Sequence, residues 1–242
     1  MKIKKILASG YSFTSGGIGG IPPTRYHQGG TSYREDPDYK KSKPTTWASF
    51  LAEKINPDSF VNLASPGHGN YLVSKTICDT LQKFDYDPID TLVIFNISEM
   101  ARMDVLCEYN TENNRITWSQ DILNYSFLKP HSNKWSKVMK NQEGDIKELI
   151  TYNTERLREL FEYLTTNKYP LVFTTLGDYT NLPVIQMNKK HCVQLPGNGM
   201  FEYAEKLDLL DKDGFHPNLE AHCRISKLAY DFICKKYNIE IN

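Results

Sequence analysis

The sequence predicts an α/β fold in which a parallel sheet lies between two layers of helices. Two observations predict it. Short runs rich in β-branched and apolar residues, above all Thr91-Leu92-Val93-Ile94-Phe95 and Leu171-Val172-Phe173-Thr174-Thr175, read as strands covered on both faces. Between such runs stand stretches with apolar residues at helical spacing. Strand and helix therefore alternate along the chain, which implies crossover connections and a parallel sheet.

Taken in order, Ile3 to Ala8 is an apolar run stopped by Ser9-Gly10, the pattern of a buried strand feeding a turn. Residues 16–46 are rich in glycine, proline, tyrosine and charge without periodicity and read as a long loop. Trp47, Phe50, Leu51 and Ile55 then mark a helix, and Phe60 to Ala64 a strand ending at Ser65-Pro66-Gly67. Tyr71 to Phe84 is helical, and the strand Thr91 to Phe95 follows. Residues 103–142, with Tyr109, Trp118, Tyr125, Phe127 and Trp135, show no clear periodicity and read as an insertion. Ile146 to Thr165 has one broad apolar face, with Leu149, Leu157, Leu160, Phe161 and Leu164. After the strand Leu171 to Thr175, the chain closes with a helix from Asn218 to Tyr237, introduced by Pro217. No internal repeat interrupts this order, and the whole of 1–242 reads as one domain.

Composition narrows the function classes. Lysine plus arginine number 29 and aspartate plus glutamate 29, so the net charge is zero and no basic field draws nucleic acid or anionic lipid. At 40% hydrophobic and 24% charged residues, the chain is too apolar for disorder and should build a packed core. Cys78, Cys107, Cys192, Cys223 and Cys234 are odd in number and unpatterned, which points to neither a disulfide framework nor a zinc site and fits a reducing compartment. The apolar run Ile6 to Ala8 is too short for a signal-peptide core, and none approaches the roughly 20 residues that span a bilayer. The expectation is a cytoplasmic protein with no nucleic-acid or membrane partner.

Three segments stand where such a sheet places its ligands, beyond the carboxyl ends of strands or at the start of the last helix. Gly10-Tyr11-Ser12-Phe13-Thr14-Ser15-Gly16 follows the first strand. A serine there can expose its hydroxyl beside backbone N–H groups, although glycine and serine after a strand also simply make a turn. Asn62-Leu63-Ala64-Ser65-Pro66-Gly67-His68-Gly69-Asn70 follows the second strand. Gly67 offers an unobstructed N–H, and Asn70 begins a helix and can cap it. Asp211-Lys212-Asp213-Gly214-Phe215-His216-Pro217-Asn218 places a carboxylate three residues from a histidine. A histidine acting as general base needs such a partner on its other ring nitrogen, although an Asp/His pair can also merely start a helix.

These three blocks, in this order and spread across almost the whole chain, resemble the SGNH, or GDSL-like, hydrolases. The resemblance implies a flavodoxin-like sandwich with a five-stranded parallel sheet, and chemistry without metal or cofactor. It assigns Ser12 as nucleophile, His216 as general base and Asp213 as its orienting partner, with the N–H groups of Ser12 and Gly67 in the oxyanion hole. The sequence departs from the family in two places. Tyr11 stands where an aspartate is usual, and the family's further block between the second and the last of these here reads Phe95-Asn96-Ile97-Ser98-Glu99-Met100-Ala101-Arg102 in place of a glycine and an asparagine. The Ser98 hydroxyl is then the candidate third oxyanion donor. Asn70, Asn96 and Arg102 are further candidates to touch substrate, Arg102 through an anionic group. The compact blocks also resemble those of SGNH-like proteins encoded by bacteriophages.

The function so implied is hydrolysis of a carboxylic ester through an acyl-enzyme. Tyrosines and tryptophans in 16–46 and 103–142 can stack on sugar rings, which favours a small acyl group, such as O-acetyl, on a carbohydrate. Two alternatives from other classes are a binding module that keeps the fold without activity and an acyltransferase using the same three residues. Absence of turnover on every activated ester marks the first; an acylated acceptor in place of free acid marks the second.

Overall fold

The structure, a computed structural model, describes residues 2–15, 43–64, 68–84, 86–100, 109–110, 115–116 and 143–239. The expected loop 16–46 falls outside them except at its C-terminal end, and the expected insertion 103–142 except for one short hairpin pairing. In chain order the elements are β1 (Lys5–Ser9), α1 (Ser12–Ser15), α2 (Trp47–Ile55), β2 (Ser59–Asn62), α3 (Asn70–Lys83) and β3 (Thr91–Ile97). Then come β4 (Tyr109–Asn110), β5 (Arg115–Ile116), α4 (Glu143–Thr166), β6 (Leu171–Thr175), α5 (Pro183–Met187), α6 (Met200–Lys206) and α7 (Leu219–Tyr237).

The main sheet has the order β2-β1-β3-β6, and every pairing in it is parallel. Leu7 lies opposite Val61 on one side and Val93 on the other, and Phe95 lies opposite Phe173. The period of two along each strand sorts side chains to two faces. Ile6, Ala8, Leu92, Ile94 and Val172 meet Trp47, Leu51 and Ala52 of α2 and Ile225, Ala229 and Ile233 of α7. Leu7, Val93, Phe95, Leu171 and Phe173 meet Val73, Ile77 and Leu81 of α3 and Leu157, Phe161 and Leu164 of α4. Every residue of β3 and β6 is buried, as their unbroken apolar runs require. On the second face the rings of Phe95, Phe161 and Phe173 pack within 5.0 to 5.7 Å of one another, and losing one to alanine costs about 3–5 kcal/mol. This is the three-layer α/β sandwich.

Five strands were expected, and among the described residues the sheet has four. Where a fifth would lie, Cys192 makes a single parallel bridge to Phe173, and the Val193 N–H donates to the Phe173 carbonyl at 2.9 Å. Pro196 has no N–H to offer a ladder, and Gly197 follows at φ 103°, so this segment turns away after one bridge. No helix among the described residues is long and apolar enough to cross a membrane.

Two local devices fix the ends that matter. Thr46 caps α2 in a capping box with Ser49, and Asn218 caps α7 by accepting the Ala221 N–H at 3.0 Å. Each such cap contributes about 1 kcal/mol. Gly10 leaves β1 at φ 153°, and a Cβ there would lie 2.6 Å from Thr14 Oγ1 and 3.3 Å from the Asn96 Cβ. Gly10→Ala therefore combines a disfavoured backbone with overpacking of a buried turn. It is expected to lower stability by about 3 kcal/mol, read as a fall in the urea midpoint.

A second stability prediction concerns acid. His222 is buried in the first turn of α7, and burial, with the nearby His216, pushes its pKa down to about 4 from an ordinary 6.5. Below about pH 6.5 the unfolded chain binds a proton that folded His222 refuses, so stability is full above that pH and falls as the pH drops to about 4. The loss is on the order of 3 kcal/mol. Urea titrations at pH 7 and 4.5 should show this slope in the wild type and a shallower one in His222→Gln. Part of the residual slope belongs to His191, whose pKa burial and Lys236 also push down to about 4.

Candidate active site

In a doubly wound sheet of this order the strand connections diverge between β1 and β3, and the crevice beyond their carboxyl ends is the place for a ligand. Ser12 stands there as the first residue of α1. The flanking rings of Tyr11 and Phe13 are buried and pack 4.9 Å apart, which leaves the serine between them facing outward. Tyr11, where the sequence departs from the resemblance, is thus a core residue. The turn closes on itself, since the N–H groups of Thr14 and Ser15 donate to the Tyr11 carbonyl at 2.9 and 3.0 Å. It is also held from outside: Asn62 Nδ2 donates to the Thr14 carbonyl at 2.8 Å, and Trp47 Nε1 donates to Thr14 Oγ1 at 3.1 Å. As the first residue of a helical turn, Ser12 keeps its own backbone N–H out of intrahelical bonding.

The segment 211–216 meets Ser12 from the other end of the chain. It is a tight loop clamped at its neck, where Asp211 N–H donates to the His216 carbonyl at 2.6 Å and Asn218 N–H to the Leu209 carbonyl at 2.8 Å. Gly214 takes φ 68° at its tip. Asp213 Oδ1 accepts the N–H groups of Phe215 and His216, both at 2.9 Å. Its Oδ2 lies 2.5 Å from His216 Nδ1, and His216 Nε2 lies 2.9 Å from Ser12 Oγ. Partial burial works to raise the Asp213 pKa, but the two backbone N–H groups and the imidazole outweigh it and hold the carboxyl below its ordinary range. An ionised carboxylate at this distance places the imidazole proton on Nδ1 and leaves Nε2 free to accept from the serine hydroxyl.

The imidazole is fixed by apolar neighbours as well. Its ring stands edge-on to Phe13 at 5.2 Å and to Phe215 at 5.1 Å, and Phe215 packs in turn on Phe201 of α6 at 5.5 Å. The His216 side chain keeps 16% of its surface exposed and that of Asp213 39%, so the pair opens to solvent. Neither α6 nor its Phe201 is among the elements expected from the sequence. The signal was the pattern Met200, Tyr203 and Ala204 after Gly197-Asn198-Gly199, which places three buried residues on one face.

The remaining expected residues divide. Ser98 is buried just past β3; its N–H donates to Asn70 Oδ1 at 2.9 Å, and its hydroxyl has no partner among the described residues. Asn70 is the first residue of α3, whose cap is Gly69, and its Nδ2 donates to the Ser98 carbonyl at 3.3 Å. Asn96 sits inside β3, with Nδ2 donating to Thr174 Oγ1 at 2.8 Å and to Met200 Sδ at 3.1 Å. Both asparagines are fully buried, and the structure places them as internal struts rather than on a surface that a substrate reaches. Gly67 and Arg102 lie outside the described residues. Among the described residues no three His, Cys, Asp or Glu side chains stand together as a metal site would need.

Comparison with known proteins adds the fold. No protein-family model matches the sequence, and no curated protein matches it significantly. Among solved structures, TesA superposes with a TM-score of 0.50 at 11% identity, over 96% of this chain and 99% of that one. A Parabacteroides merdae protein described as a GDSL-like lipase gives 0.51 at 13% identity, over 96% and 97%. The YxiM protein of Bacillus subtilis gives 0.53 at 13% identity over 99% of this chain, which spans 58% of that longer one. The chain thus has the fold of the GDSL-like, or SGNH, hydrolases. Nothing in these likenesses supports a phage origin.

Proposed function

We propose that this chain is a serine esterase that hydrolyses carboxylic esters through an acyl-enzyme. The observation that carries the reading is the unbroken hydrogen-bonded line from Asp213 through His216 to Ser12, across 204 residues of sequence, at the mouth of the β1/β3 crevice. In this mechanism His216 Nε2 takes the Ser12 proton as Oγ attacks the ester carbonyl. The same nitrogen returns the proton to the leaving alcohol, and then activates the water that releases the acid. Asp213 holds the tautomer and stabilises the imidazolium that forms.

The developing oxyanion needs donors, and the candidates are the Ser12 N–H, the Ser98 hydroxyl just past β3, and the N–H of Gly67, which lies outside the described residues. The Ser98 hydroxyl is a buried polar group with no partner among the described residues, so a substrate oxygen is a physically sensible acceptor for it. We assign a small acyl group, such as acetyl, on a carbohydrate as the substrate class. The assignment follows from the aromatic residues of 16–46 and 103–142 and from the absence of a contiguous apolar stretch there that would suit a long acyl chain.

The test is turnover of p-nitrophenyl acetate, butyrate and decanoate, together with labelling by a fluorophosphonate probe mapped by peptide mass spectrometry. Turnover that falls with chain length, with label on Ser12, is the expected result. No turnover and no label on any serine would overturn the esterase and leave a binding module on the same fold.

A further inference from the structure

Ser12 and His216 lie at opposite ends of the chain, yet one residue is bonded to the supports of both. Trp47, the first residue of α2, is wholly buried. Its indole Nε1–H donates to Thr14 Oγ1 at 3.1 Å, on the turn that carries Ser12. Its backbone N–H donates to His222 Nδ1 at 3.3 Å, in the first turn of the helix that His216-Pro217 introduces. That N–H belongs to the first turn of α2 and so lacks an intrahelical acceptor. The Thr46 side chain serves the Ser49 N–H instead, which leaves the Trp47 N–H to the histidine.

We propose that Trp47 is a positioning residue that sets the separation between the nucleophile's turn and the segment bearing the base. The proposal rests on the esterase reading. Its physical content is that the two members of the Ser12–His216 contact are each referenced to one rigid residue, through Thr14 on one side and His222 on the other. Asn62 still holds the Thr14 carbonyl if the indole bond is lost, so the turn shifts rather than melts. A shift on the order of 1 Å at a reacting pair costs about 100-fold in rate, while substrate binding, which does not depend on that contact, is left nearly unchanged.

Thr14→Val and Thr14→Ser separate positioning from packing, because valine keeps the shape without the acceptor and serine keeps the acceptor without the methyl. With active sites counted by fluorophosphonate end-point, kcat on p-nitrophenyl acetate should fall about 10- to 100-fold in Thr14→Val, with KM within about twofold. Thr14→Ser should return to within about threefold of wild type. Trp47→Phe, which keeps the backbone bond to His222, should match Thr14→Val, and the double variant should be no slower than either, since each removes the same bond. If Thr14→Val does not fold, Trp47→Phe carries the comparison with wild type. An unchanged kcat per active site alongside a lowered Tm, or Thr14→Ser as slow as Thr14→Val, would overturn the positioning role and leave Trp47 as core packing. A wild type that neither turns over nor labels overturns the esterase reading, and the role of Trp47 falls with it.

Discussion

Ser12→Ala is expected to lower kcat by about a million-fold, His216→Gln by a similar factor, and the two together by no more than either alone. The groups at the 2.9 Å contact between Nε2 and Oγ act as one device. A serine without its base is a weak nucleophile at neutral pH, and a base without the serine has nothing to deprotonate. Whatever rate survives comes from the oxyanion donors and from substrate binding, which both substitutions leave in place. Neither change should disturb folding much. The Ser12 side chain is only half-buried, and Asp213 keeps its two backbone N–H donors after His216 is replaced. The measurement is single-turnover hydrolysis of p-nitrophenyl acetate by the two single variants and the double. Additive losses would show that Ser12 and His216 do not act on one proton, and would point to a different nucleophile.

The long elements were legible because their signals are periodic and their burial complete. The helix read at Trp47 to Ile55 and the strand at Leu171 to Thr175 have those same bounds in the structure, and β3 runs two residues past its reading to Ile97. The short helices α1, α5 and α6 were not legible as helices. Pieces of four to seven residues are too short to hold a helix alone, and tertiary contacts set them. Where a fifth strand would lie among the described residues, Val193 and Leu195 are apolar, but Pro196 and Gly197 end the pairing.

The site divides along the same line. Asp213 and His216 are three residues apart, so their bond is a property of one turn and can be read from Asp213-Gly214-Phe215-His216-Pro217. The sequence presents Asn70 as a helix starter and a candidate substrate contact. Its side chain instead bonds Ser98, 28 residues on, and nothing in the local sequence encodes that partner. The local sequence shows Trp47 only as the apolar start of a helix, because its two bonds reach 33 residues back and 175 forward. Non-local bonds of buried polar groups are what a single sequence conceals, and here they form the frame around the Ser12–His216 contact.

Asp213→Asn should lower kcat by about ten-thousand-fold while leaving the loop folded. Asparagine is nearly isosteric, and its amide oxygen can still accept the N–H groups of Phe215 and His216 at the positions where Oδ1 now accepts them. What then faces His216 Nδ1, in place of Oδ2 at 2.5 Å, is an NH2 group that can only donate. The imidazole answers by keeping its proton on Nε2, the nitrogen that must accept from Ser12, so the base is present but in the wrong tautomer. KM should change little, because the substrate does not touch Asp213 in this mechanism. Asp213→Ala should be as slow and also less stable, since it strips both backbone N–H groups of their acceptor in the clamped loop. Steady-state kinetics with thermal melts on both variants separate these effects. A loss under tenfold in Asp213→Asn would mean that packing against Phe13 and Phe215 alone orients the imidazole, and the carboxylate would lose its role in the chemistry.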